Sequence, residues 1–252
     1  MNAKLKEAIR DLLPTSIGVH RIQRGPVRGA RIYTSWHDYP GAILGTTEAP
    51  LLAWFARHVM AGETWLDIGA HYGYTSLALA RLVGVTGRVF AFEPVAATAG
   101  CIARTRDLNH LSQLTIVPIG LSADPELRPR CLPVSRGMAE SIGAETAPHQ
   151  AIDTVSLDSL WESVSDGNAV IHGVKIDVQG MEGDVLSGMR SVLCRWKPKL
   201  VIEFHRGVDR RTVVDLIESC GYGRAAIPIL PGSHKIEDDR SYAFFPLTAN
   251  HL

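Results

Sequence analysis

With 252 residues the chain has room for one α/β domain with a full core, and no second domain is required. Lys plus Arg number 26 and so do Asp plus Glu, and aromatics are 7% of the chain, so nothing marks a nucleic-acid surface. No apolar run approaches the roughly 18 residues of a membrane span, and the start, MNAKLKEAIRDLLP, lacks a signal-peptide core, so a cytoplasmic protein is expected.

Residues 2–13 read as a short helix ended by Pro14, with Leu5, Ile9, Leu12 and Leu13 on one side, suited to cap the sheet or meet a partner such as a second copy of the chain. Val19 to Trp36 alternates across two strands around the turn at Arg24 to Gly29. This extension, 1–44, precedes a domain spanning 45–252. Gly45 to Glu48 leads into a helix through Leu51, Leu52, Phe55 and Val59, with Thr46 or Thr47 as N-cap. Thr64 to Ile68 is a buried strand. A glycine turn follows, then an amphipathic helix carrying Leu77, Ala78, Ala80 and Leu82. A strand from Arg88 to Pro94, a helix toward Asn109 and a strand from Leu114 to Pro118 come next, ended by Gly120 to Ser122. Residues 123–150 hold Pro125, Pro129, Pro133 and Pro148 with Arg128, Arg130 and Arg136, and read as a substrate-side insertion with an irregular hairpin whose second strand is Ile152 to Leu157. Val170 to Asp177, a helix from about Gly180 to Trp196, and Leu200 to His205 form a parallel strand-helix-strand unit. After a helix from Val213 to Cys220, a hairpin of Arg224 to Ile229 with Ser241 to Pro246 supplies an antiparallel last strand. Cys101, Cys131, Cys194 and Cys220 form no CxxC pair and read as reduced packing thiols.

The turn runs Asp67-x-Gly69-x-His71-x-Gly73 and lacks the middle glycine that admits a pyrophosphate, which disfavours a dinucleotide. His71 belongs to the few residue types that tolerate positive φ. A ligand without phosphates fits better; S-adenosylmethionine is one, and Asp67 suits its ammonium. Glu93, at the end of the next strand, is placed to accept both ribose hydroxyls, and its offset from the glycines matches the acidic residue of dinucleotide folds, about 20 residues on. Asp177 and His205 fall at carboxyl ends of central strands and make the candidate catalytic pair. His205 would be the free base for an acceptor hydroxyl, with Asp177 orienting it or taking the proton itself. A strand-end histidine satisfied by backbone is the competing account. Glu182, in a first helical turn, suits the helix dipole or a substrate. Strand period sets Lys175 against Glu203 as a structural ion pair. No HExxH or Cys/His cluster occurs, and with Glu203 facing a lysine, a metal on Asp177, Glu203 and His205 is not expected.

DIGAHYGYTSLALA, GRVFAFEP, VKIDVQGMEGDVLSG and KLVIEFH, in this order, resemble the motifs of the FkbM family of S-adenosylmethionine-dependent methyltransferases over roughly Gly45 to His205. The family commonly has Asn at the position of His71 and Glu at that of Gln179. The resemblance implies a class I methyltransferase (Rossmann-like) fold: a seven-stranded, mostly parallel sheet with helices on both faces. It implies S-adenosylmethionine as donor and S-adenosylhomocysteine as product, held by Asp67, Gly69, Ala70, His71, Tyr72, Gly73, Tyr74 and Thr75, by Glu93 and Pro94, by Gly120, Leu121 and Ser122 at the adenine, and by Asp177. Glu48 borders the cofactor by the same resemblance, or else caps a first helical turn. O-methylation of a hydroxyl on a small molecule, natural product or glycan follows. N-methylation of an amine or amide, or a cofactor-binding module without catalysis, are the alternatives. The DPPY or NPPF pattern of nitrogen methylation is missing after Asp177.

Overall fold

The computed structural model of the chain describes residues 10–139, 147–167, 169–230 and 236–247; most of the helix expected over residues 2–13 lies outside the described residues. In chain order the elements are β1 (Gly18–Arg21), β2 (Arg31–Thr34), α1 (Pro40–Leu44), α2 (Ala49–His58), β3 (Thr64–Ile68), α3 (Tyr74–Val83), β4 (Arg88–Phe92), α4 (Ala96–Leu108), β5 (Leu114–Val117) and β6 (Gly120–Leu121). Then come β7 (Arg128–Ser135), β8 (Met138–Ala139), β9 (His149–Val155), α5 (Leu157–Val164), β10 (Gly173–Ile176), α6 (Glu182–Ser187), α7 (Arg190–Trp196), β11 (Lys199–Phe204), α8 (Arg210–Ser219), β12 (Ile227–Pro228) and β13 (Arg240–Phe244). Among the described residues no helix is long and apolar enough to cross a membrane.

The main sheet has seven strands in the order β12-β13-β11-β10-β3-β4-β5, parallel from β11 to β5, with β13 antiparallel to both its neighbours. Alternation along the strands sorts the core into two layers. Trp65, Val89, Ala91 and Val201 face α2, α3 and the N-terminal hairpin, while Leu66, Phe90, Ile176, Ile202 and Phe204 face α5 to α8. Ile22, Val27 and Ile32 of the hairpin region belong to the first layer, so the extension shares one core with the sheet.

Two elements differ from the sequence expectation. β6, β7, β8 and β9 form a small sheet in the order β6-β9-β7-β8; the expected hairpin is present as the antiparallel β7–β9 pair, but its second strand is His149–Val155 rather than Ile152 to Leu157, and β7 runs eight residues through Pro129 and Pro133. The prolines are tolerated because Val134 N–H donates across to Pro148 O, so residues of opposite parity turn their nitrogens away from β9. The helix expected from Gly180 to Trp196 is broken into α6 and α7 at Gly188. A Cβ there would lie 1.8 Å from Ser122 O, so the backbones touch, and Asp158 takes the free N–H groups of Ser191 and Val192 at 2.8 and 3.0 Å to start α7. Cys101 and Cys220 are buried as packing thiols, whereas Cys131 and Cys194 are exposed.

Helix propensity alone predicts that Gly188→Ala stabilises by about 1 kcal/mol. The Ser122 contact predicts the opposite, a loss of ~1 to 3 kcal/mol from overpacking against backbone. Urea denaturation with an unchanged slope measures the sign; a gain in midpoint contradicts the close approach.

Candidate active site

The turn after β3 is built from backbone. Gly69 N and Ala70 N both donate to Phe92 O at 3.0 Å, and Gly73 N to Ala70 O at 2.8 Å. Gly69 has φ +77°, and a Cβ on it would sit 1.8 Å from Asp177 O, so only glycine lets β3 and β10 close here. His71 sits at φ +50° as its residue type allows. Its backbone N–H donates to Glu93 Oε2 at 2.8 Å, and Val95 N–H donates to Oε1 at 2.9 Å, so Glu93 clasps the turn to the end of β4. Burial pushes the Glu93 carboxyl up to about 8 against these two donors, which favour its ionised form.

Beneath the turn lies a buried ion cluster. Lys175 is in register with Asp67 on one side and Val201 on the other. Its ammonium stands 3.2 Å from Asp67 Oδ1 and 3.4 Å from Asp177 Oδ2, and donates to Gly69 O at 3.0 Å. The Lys175–Glu203 pair expected from strand period is therefore not formed: Asp67 is the in-register neighbour, and Glu203 lies two residues beyond Val201. Burial opposes the charge on Lys175, but Asp67 and Asp177 outweigh it and hold the ammonium above its ordinary range. Asp67 itself is wholly buried and accepts Thr75 Oγ1–H at 2.7 Å and Ser76 Oγ–H at 2.6 Å on Oδ2. Sealed in this way it has no face toward a ligand, which corrects the expectation that it meets an ammonium.

Above this floor opens a cleft of about 240 Å³. Glu48, Gly69, Ala70, His71, Thr75, Glu93, Pro94 and Asp177, all expected at the site, line it. A smaller hollow of about 30 Å³ shares Gly69, Pro94, Val178 and Met181 with the cleft and is lined by Phe92, Ile119, Gly120 and Leu121. Tyr72, Gly73, Tyr74 and Ser122, also expected at the cofactor, line neither. Tyr72 turns its hydroxyl to Asp38 Oδ2 at 2.7 Å, Gly73 packs on Ile102, Tyr74 lies in the core and Ser122 sits under Gly188. Sequence reasoning missed Asp38 and Tyr39 in the cleft wall; Arg136, expected in the substrate-side insertion, and Lys175 and Glu203, expected as a structural pair, line it as well. The aromatic-acid cluster just ahead of Pro40 was the available signal for the first two.

Glu48 stands at the N-cap position of α2 with φ +54° and makes no capping bond, so neither Thr46 nor Thr47 is the cap. Its carboxyl turns into the cleft. Burial, then the charges of Asp177 and Asp67, raise it above the ordinary carboxylate range. Glu203 is pushed up to about 7, by burial first and then by Asp177 and Glu48. His205 follows β11, with Nδ1 2.7 Å from Glu182 Oε1 and Nε2 3.5 Å from Asp177 Oδ1 and 3.8 Å from Glu203 Oε1. Burial works against its charge, but Glu182, Asp177 and Glu203 raise it to about 9. The free-base role expected for His205 thus meets an imidazolium at neutral pH, because carboxylates surround the ring. Glu182 is wholly buried behind His205, which removes it as a direct substrate ligand.

His71 is driven down to about 4 by burial and stays neutral, with Nε2 2.9 Å from Arg136 O, so that nitrogen carries the donated proton. Its ring lies 4.8 Å from that of Tyr39.

Residues 67–223 match the Methyltransferase FkbM domain. Over 158 residues the chain is 30% identical to the hexuronic acid methyltransferase AglP of Haloferax volcanii, covering 60% of this chain and 59% of that protein. The match therefore spans about three fifths of that relative's length. A methyltransferase FkbM structure from Methylobacillus flagellatus KT is 21% identical with TM-score 0.48, covering 73% of this chain and 43% of that one. Aeropyrum pernix fibrillarin, solved with natively bound S-adenosyl-L-methionine, is 13% identical with TM-score 0.47, covering 92% and 100%.

Removing the ammonium at the centre of the floor leaves Asp67 buried and uncompensated. Lys175→Met is expected to cost ~3 to 5 kcal/mol, and Lys175→Met with Asp67→Asn to recover part of that loss. Guanidinium denaturation of both variants checks it; a double variant less stable than Lys175→Met contradicts the pairing.

Proposed function

The chain belongs to the FkbM family of S-adenosylmethionine-dependent methyltransferases, and on that premise we propose that it methylates a hydroxyl on a carboxylate-bearing sugar or similar polyol. The observation that carries the reading is the junction of a side-chain-free wall at Gly69, the Glu93 carboxyl and an acidic floor within one cleft. The residues present fit the methyl donor. Each Glu93 oxygen accepts one backbone N–H and keeps acceptor capacity for ribose hydroxyls. The apolar hollow beside Gly120 and Leu121 suits an adenine edge. With Asp67 sealed, Glu48 and Asp177 are the carboxylates left to hold the positively charged methionine end.

When bound, S-adenosylmethionine supplies a methyl carbon made electrophilic by its sulfonium, and the sulfur keeps the bond pair as the methyl leaves. The protein's part is to position the acceptor oxygen in line and take its proton. Glu48, Asp177 and Glu203 are the proton acceptors at hand in the floor, and His205 Nε2 stands beside the last two. Arg136 lines the same cleft and supports an acidic acceptor, since its guanidinium matches a carboxylate in two-pronged geometry. The hexuronic acid methyltransferase relative agrees with that class.

Labelled methyl transfer tests the reading, with a hexuronate-terminated glycan and its neutral hexose counterpart as acceptors. Arg136→Ala should raise KM for the acidic acceptor about tenfold or more with S-adenosylhomocysteine affinity unchanged. Absence of product from both acceptors and from a polyol pool overturns it. Glu93 gives a second measurement. Ribose hydroxyls donate to the ionised carboxylate, so below about pH 8 binding must first displace the proton that burial holds there. Calorimetric affinity for S-adenosylhomocysteine should weaken as pH falls from 9 to 6, by up to about one log unit per pH unit. Glu93→Gln should weaken binding by ~1.5 to 3 kcal/mol at pH 9 and flatten that dependence. An unchanged profile in Glu93→Gln removes Glu93 from the ribose.

A further inference from the structure

We propose that Asp177, Glu203 and His205 form a divalent-cation site of the Mn²⁺/Mg²⁺ class on the floor of the cleft, where the cation holds the acceptor's oxygen. One donor atom from each of these residues, supplied by the ends of two adjacent parallel strands, lies within 4.8 Å of the others. Ligands sharing one ion at ~2.1 Å stand up to ~4.2 Å apart, so closure by a few tenths of an ångström completes the set. The expectation of no metal rested on the lack of an HExxH or Cys/His cluster, which stands, and on Lys175 facing Glu203, which does not: Lys175 is turned to Asp67, Asp177 Oδ2 and Gly69 O. Asp177 Oδ1 and Glu203 Oε1 are the oxygens that face His205 Nε2.

Two further features belong to a metal site rather than to a bare acidic cluster. His205 Nδ1 is fixed by Glu182 Oε1 at 2.7 Å, the carboxylate–histidine arrangement that sets the tautomer and orients Nε2 as a ligand. Glu182 is wholly buried, and its Oε2 finds no hydrogen-bond partner among the described residues. Around the centre the carboxylates of Glu48, Asp67, Asp177, Glu182 and Glu203 crowd about the Lys175 ammonium and the His205 ring, whose Nε2 gives up any proton when it takes the ion. Negative charge in excess is costly at this depth, and a divalent ion offsets it. Two carboxylates and one imidazole leave coordination positions open, and an oxygen-weighted set favours Mn²⁺ or Mg²⁺ over softer metals. Vicinal sugar hydroxyls are ligands of that kind, so the acceptor role rests on the methyltransferase reading above, while the ion site does not.

The test titrates chelator-stripped protein with Mn²⁺ by calorimetry and electron paramagnetic resonance, with and without S-adenosylhomocysteine. One Mn²⁺ per chain is expected, displaced by excess Mg²⁺. Glu203→Gln and His205→Gln should each weaken it about tenfold or more. Glu182→Gln, which removes the carboxylate charge behind the His205 ring and leaves the three ligands in place, should weaken it about 10- to 100-fold. Melting curves and S-adenosylhomocysteine affinity of each variant report whether the fold and the donor site survive, and at least one ligand variant that keeps both decides the result. No stoichiometric Mn²⁺ uptake by folded protein, or uptake undiminished in a folded ligand variant, overturns the proposal. So does full methyl transfer by the stripped enzyme with chelator present. Mn²⁺ uptake without S-adenosylhomocysteine binding leaves the ion site standing and sinks the donor assignment instead.

Discussion

The Lys175 ammonium is the contact on which the rest of the site depends. It lies inside a sheet covered on both faces, where a lone charge is not tolerated, so the chain must bring anions to it. Register supplies Asp67 from β3, and strand continuation supplies Asp177. The same ammonium takes the carbonyl of Gly69, which fixes the turn above the floor as well as the strands within it. Because Asp67 is thereby held, Thr75 and Ser76 hydroxyls have a fixed acceptor, and the first turn of α3 is pinned to β3. A single buried cation thus sets the shape of the backbone wall that a ligand would meet.

Beyond Lys175 the carboxylates fall into two populations. Asp67 and Glu182 are wholly buried: the first holds Thr75, Ser76 and Lys175, the second His205. Glu48, Asp177 and Glu203 line the open cleft. Burial and mutual repulsion raise Glu48 and Glu203, and the same crowding forces His205 to keep its proton. An environment that presses protons onto its acids is complementary to a positively charged ligand. A sulfonium and a divalent cation both satisfy that demand, one on the donor side and one on the acceptor side.

The main sheet and the glycine turn were legible because their signals are local. Thr64 to Ile68 is a short buried run, Leu77 to Leu82 has helical period, and His71 and the glycines mark a backbone that needs positive φ. What escaped is set by long-range geometry. Whether Lys175 pairs with Asp67 or Glu203 is a matter of which neighbour is in register, and strand period alone cannot choose between two flanking strands. The break at Gly188 arises from contact with Ser122, far away in sequence. Pro129 and Pro133 argued against a long β7, yet they share a parity whose nitrogens face away from β9. His205 was legible as a strand-end residue, but its protonation depends on Glu182, Asp177 and Glu203 together, which only the folded chain assembles.

The two departures from the family pattern now have physical content. Asn and His share a tolerance for positive φ, so the backbone at residue 71 is unaffected by the exchange. The imidazole adds reach: it spans to Arg136 O and lies against Tyr39, tying the glycine turn to the β7–β8 turn on one side and to the segment before α1 on the other. Asparagine is too short to make both contacts at once. At residue 179 the same logic concerns charge. Gln179 has φ +52°, and its amide nitrogen stands 3.4 Å from Asp177 Oδ1. A glutamate there would add a further anion beside Asp177, in a floor where Glu48 and Glu203 are already pushed toward protonation. Glutamine instead offers a donor to the same carboxylate, so the departure lowers the repulsion that the acidic floor must otherwise bear.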